Sequence, residues 1–110
     1  MRAKDRRTSR RLIMKVPLRF RPMKATSIPE ETAASMNIST HGVFFATEQK
    51  VSKGLLLQLH LKMPREIVGD DVDEWSFTAR VVHVEPLGTA NEISGIGVQF
   101  LYYEVPPASI

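Results

Sequence analysis

Residues 55–63, Leu-Leu-Leu-Gln-Leu-His-Leu-Lys-Met, restrict the fold more than any other stretch of the chain. Leu55, Leu57, Leu59, Leu61 and Met63 share one face, and Gln58, His60 and Lys62 lie on the other. This period of two is that of a half-buried β-strand, whose successive side chains leave opposite faces of the sheet. Pro64 ends the run. The same period appears near the start, where Leu12, Met14, Val16, Leu18 and Phe20 alternate with Ile13, Lys15, Pro17, Arg19 and Arg21. Pro17 has no N–H for a ladder, so this strand is expected at a sheet edge or with a bulge there. Further strands are expected at Thr32–Met36, where alternation is poor, at Val43–Thr47, at Glu74–Glu85, and at Gly95–Tyr102 with Ile96, Val98, Phe100 and Tyr102 on one face. Phe44, Phe45 and Phe77 fall in these apolar strands and are assigned to the core. The segments between them read as turns or loops, including Asn37–Gly42, Glu48–Gly54 and the acidic residues 64–74. Six short strands at spacings of roughly ten residues, with no amphipathic helix, point to an all-β antiparallel barrel or sandwich.

A chain of 110 residues, 43% hydrophobic, supports one core and one domain. Residues 1–11 form a basic arm, 12–103 the β domain and 104–110 a short tail containing Pro106-Pro107, with too few residues for a substantial C-terminal helix. The arm has no apolar periodicity and is expected to be flexible without a partner. The absence of cysteine excludes disulfides and thiolate metal sites. No window approaches the roughly 18 apolar residues of a membrane span, and a soluble, cytoplasmic protein is expected.

Catalysis requires a nucleophile with a base, or a carboxylate pair, on the rims of the sheet. His41, His60 and His83 are scattered in sequence, without a carboxylate or cysteine at metal-ligand spacing, and are read as ordinary strand and turn residues. The carboxylates gather in the 64–74 loop, where solvation accounts for them. Gly95-Ile96-Gly97 has neither the third glycine, the helix nor the lysine of a phosphate loop and reads as close strand packing. The expectation is a protein that is not an enzyme and holds no metal or cofactor.

Charge is distributed unevenly. Residues 1–24 carry ten Lys/Arg against one acid, a balance of +9, and the other 86 residues carry five bases against eleven acids, a balance of −6. An arm this basic on an acidic body suits an anionic partner: a nucleotide, a nucleic acid or an anionic membrane face.

Two motifs narrow that choice. Arg7-Thr8-Ser9-Arg10-Arg11 supplies R-x-x-x-R, and Asn37-Ile38-Ser39-Thr40-His41-Gly42 supplies N-x-S-x-x-G. Together, in this order and ahead of a glycine-bounded strand at Gly95–Phe100, they resemble the PilZ domain family. The resemblance runs from Arg6 to Tyr102 and implies a six-stranded antiparallel β-barrel of split-barrel type. It also implies a bacterial receptor or adaptor for the second messenger cyclic di-GMP. On that resemblance Arg7 and Arg11 meet guanine and phosphate, since an Arg fork matches the O6/N7 edge of guanine and its plane stacks on the base. Asn37 and Ser39 accept from the opposite guanine edge, and Gly42 allows a positive φ or a close backbone approach. Arg10 and His41 are additional candidates.

Arg6–Arg10 has the same spacing, but Arg7–Arg11 puts the second arginine directly before the first strand. Arg6 then precedes the motif, a placement that in the family accompanies an intercalated pair of ligand molecules. Asn in place of Asp at position 37 offers one acceptor oxygen where a carboxylate offers two, so it cannot meet two N–H groups with a separate oxygen each. Two other readings stand beside this one: a PilZ-like adaptor that binds a downstream protein without nucleotide, and, ranked last, a small basic barrel binding nucleic acid.

Overall fold

Leu57, Leu59 and Leu61 are all but completely buried, and Gln58 and His60 between them are half-buried on the opposite face. Alternation of this kind sets the architecture. The computed structural model describes residues 11–24, 29–69, 73–88 and 92–105. These form β1 (Pro17–Pro22), β2 (Glu31–Ile38), β3 (Gly42–Thr47), β4 (Leu56–Leu61), a single helical turn α1 (Arg65–Val68), β5 (Trp75–Leu87) and β6 (Ile93–Glu104). The strands close into a barrel in the order β1-β2-β3-β6-β5-β4, and every neighbouring pair is antiparallel. The sheet is therefore a barrel and not a sandwich. Every strand contributes to one core, in which the rings of Phe20 and Phe45 lie 4.9 Å apart across the interior.

Several expectations are corrected. Pro17 lies at neither an edge nor a bulge: β1 is hydrogen-bonded on both sides, to β2 and β4, and Pro17 is its first residue. The alternation upstream still holds in burial, with Val16 buried, Leu12 and Met14 half-buried and Ile13 93% exposed. Strand 2 runs from Glu31 to Ile38, beyond Met36. Asn37 and Ile38 thus belong to β2, and the turn narrows to Ser39–His41. The 64–74 segment contains α1, which ends where Gly69 takes a φ of +85° and donates its N–H to the Arg65 carbonyl.

Phe45 and Phe77 are buried as expected, but Phe44 points to the outer face. Tyr102 is 70% exposed. The register shift that pairs Thr78 with Tyr102 and Ala79 with Phe100 leaves Leu101 as an extra residue, which breaks the alternation after Phe100.

The segment before β1 is fastened to β2 in two places. The Ser35 hydroxyl accepts from the Val16 N–H at 2.8 Å and donates to the Met14 carbonyl, and the Ser35 N–H donates to the Val16 carbonyl at 2.9 Å. Further out, Leu12 and Ile38 exchange both backbone hydrogen bonds, at 2.8 and 2.9 Å. No helix among the described residues is long and apolar enough to cross a membrane.

Candidate functional site

Ile38 is buried, so its neighbours Asn37 and Ser39 both leave the outer face of β2. By the same rule Gly42 and Phe44 flank buried Val43 on β3, and Gly97 and Gln99 flank buried Val98 on β6. These outward positions meet over neighbouring strands. With Arg11, His41, Val82, His83 and Glu85 they line a cavity of about 480 Å³, a size that suits a small-molecule ligand.

Arg11, Asn37, Ser39, His41 and Gly42 of the sequence assignment therefore come together at one place. Arg6, Arg7 and Arg10 lie outside the described residues. Continuing antiparallel from the Leu12–Ile38 pair, Arg11 stands level with Ser39, with its side chain exposed. Gly42 meets the close-approach requirement and not the positive-φ one, since the positive-φ glycines among the described residues are Gly54, Gly69 and Gly88. A Cβ at Gly42 would stand 2.1 Å from the Val98 carbonyl oxygen, so only glycine lets β3 and β6 approach this closely.

The turn itself is tight. The Ser39 N–H donates to the Gly42 carbonyl at 3.0 Å, and the His41 N–H donates to Ser39 Oγ at 3.0 Å. The Phe100 N–H donates to the His41 carbonyl at 2.8 Å and ties the tip to β6. Ser39 Oγ thus already accepts one local bond and keeps its own proton and a second lone pair for a ligand.

Sequence reasoning missed the far wall of the cavity. His83, Glu85 and Phe44 belong to no motif, and Gln99 enters the resemblance only as part of the glycine-bounded strand, with no role in the site assigned to it. His83 and His41, read as scattered, border the same cavity, and a carboxylate does stand beside His83: Nε2 lies 2.6 Å from Glu85 Oε1. His60 likewise lies 3.4 Å from Glu30. No group of three potential metal ligands occurs among the described residues.

A second groove, of about 540 Å³, is lined largely by apolar residues of the 14–18 segment and by Met63 and Pro64. It is the larger of the two and carries charged side chains as well, among them Lys15, Arg19, Lys62 and Glu74, but Arg19 is engaged by Glu74 and Glu30 and none of the motif residues reaches it. The cavity on β2, β3, β5 and β6 offers a cation, amide and hydroxyl groups and an imidazole at once, the mixture needed to hold an anionic ligand that also carries a base.

A closed antiparallel barrel with an open polar cavity on its outer sheet face defines the class. The PilZ domain family model matches residues 5–107, and the chain belongs to the PilZ domain family, whose members are receptors and adaptors associated with cyclic di-GMP. A structure of the Bacillus subtilis inhibitor of motility (MotI/DgrA) superposes with a TM-score of 0.69 at 18% identity, covering 94% of this chain and 45% of that one. The chain thus spans less than half the length of that neighbour, and the likeness is one of fold. No curated protein matches the sequence.

Proposed function

We propose that this domain is a cytoplasmic receptor for cyclic di-GMP, working by binding and not by catalysis, and that the bound form is read by a downstream protein. The observation that carries this reading is the convergence of Arg11, Asn37, Ser39 and Gly42, distant in sequence, on one cavity. Arg11, with Arg6, Arg7 and Arg10 arriving from the arm, supplies guanidinium forks for phosphate and for the O6/N7 edge of guanine. Asn37 and Ser39 supply oxygens for the opposite edge. Binding draws the arm against the outer face of β2 and β3, and this changes the surface offered to a partner.

Calorimetric titration tests the reading, with cyclic di-GMP and separately with a short mixed-sequence oligonucleotide, for wild type and for Arg7→Ala, Arg11→Ala and Ser39→Ala. Micromolar or tighter binding of cyclic di-GMP is expected. Each variant should weaken it about tenfold, the equivalent of about 1.4 kcal/mol. A stoichiometry of two per chain is expected from Arg6, which would accompany an intercalated pair. A wild-type protein that ignores the nucleotide would instead be a protein-binding adaptor. Salt-sensitive oligonucleotide binding indifferent to Ser39→Ala would make it a nucleic-acid binder.

A further inference from the structure

We propose that His83 is a purine-stacking subsite of this cavity, braced by Glu85 and Phe44; the inference rests on the cavity being the nucleotide site. Strand β5 carries a register shift between Val81, paired with Val98, and His83, paired with Gly97. Val82 is the extra residue. Strict alternation from buried Val81 would send Val82 outward and His83 into the core. The bulge turns both outward, and a bulge beside a binding site commonly serves to re-aim a side chain in this way.

Three features then fix the imidazole as a platform. Opposite it stands Gly97, where even a Cβ would come within 3.2 Å of the His83 Cβ, so no side chain competes for the space. The contact between Nε2 and Glu85 Oε1 at 2.6 Å pins one edge of the ring and sets its rotation. Phe44 lies behind it, with ring centroids 6.4 Å apart and planes tilted by 37°. Phe44 is itself seated on Gly95, where a Cβ would stand 2.4 Å from the Phe44 Cζ. The His83 side chain remains 57% exposed and borders the cavity. A ring pinned at one edge and backed by a second ring holds a base by its face, while Arg11, Asn37 and Ser39 address its edges and phosphates. A solvated His–Glu pair would account for the hydrogen bond, but not for the bulge or for the bare strand opposite.

Calorimetry with cyclic di-GMP on the full chain, comparing wild type with His83→Ala and His83→Phe, tests this directly. Thermal melts verify that each variant is folded. His83→Ala should weaken binding about tenfold, as loss of one base–aromatic stack does, and His83→Phe, which restores a ring without the imidazole nitrogens, should stay within about threefold of wild type. An alanine variant within about twofold of wild type, or a phenylalanine variant as weak as the alanine one, overturns the stacking role and leaves the nucleotide reading intact. Failure of the wild type itself to bind overturns both.

Discussion

Ser35 is the buried polar residue of the described barrel, 2% exposed, and it spends both sides of its hydroxyl on the backbone of the segment before β1. Replacing it with alanine leaves the Val16 N–H and the Met14 carbonyl without that partner in a place water reaches poorly. Ser35→Ala is expected to cost about 1–3 kcal/mol in urea unfolding. It should also weaken nucleotide binding, because the same segment carries Arg11 to the cavity. A loss below about 0.5 kcal/mol would mean that the segment pairs equally well without the hydroxyl. Nothing in the sequence marks this role. Serine reads as a turn residue, and its inward position among Ala33 and Ala34 is why the alternation of Thr32–Met36 looked poor. The Asn37, Ser39 and Gly42 positions were legible because they form a motif with fixed spacing. Their outward direction follows from Ile38 and Val43, whose apolar character is plain in the sequence.

At the level of elements, the alternation of β1 and β4 could be read directly, and the faces of β5 and β6 could be read only as far as their bulges. A bulge is a property of how two strands pair, and neither strand declares it alone. For this reason Tyr102, which alternation places on one face with Ile96, Val98 and Phe100, is exposed while Ile96 and Val98 are buried, and His83 borders the cavity. The contact of β3 with β6 is another such joint property, written in the sequence as one glycine. Gly42→Ala places a methyl group against the Val98 carbonyl and forces the two strands apart. Overpacking of this kind should cost about 1–3 kcal/mol. In a domain of this size each kcal/mol lowers the calorimetric midpoint by about 4–8 °C. An unchanged midpoint would show that β3 can shift without loss.

Across the whole molecule, the basic first 24 residues face an acidic remainder, yet not all of those charges are available to a ligand. Arg19 is held by Glu74 and Glu30, with 2.8 Å to the latter. The hydrogen bond that Arg19 donates to Glu74 raises the Arg19 pKa, burial opposes it, and the attraction of Glu30 adds to the rise. A raised pKa on a cation contributes stability that is fully present below its unfolded value and lost only as pH rises through the folded one. For Arg19 that window lies above any working pH, so this clamp is a fixed part of the barrel. The arm arginines, by contrast, should act on the ligand over a distance. Affinity for cyclic di-GMP is therefore expected to fall several-fold as salt rises from about 50 mM to about 500 mM, with a shallower dependence in Arg7→Ala. An affinity independent of salt would assign recognition to short-range contacts alone.

Closure of the β1-β2-β3-β6-β5-β4 ring has a consequence for whatever reads the bound state. Each strand has two hydrogen-bonded neighbours along the ring itself, but β5 beyond Val81 and β6 beyond Phe100 pair only with each other. An extended peptide adding a strand, the mode in which main-chain bonds supply affinity with little regard to sequence, is therefore confined to those two extensions. Over the rest of the ring recognition is left to side chains and turns. Those surfaces are the ones that a nucleotide lying across the Asn37–Gly42 stretch, and the arm drawn over it, would rewrite.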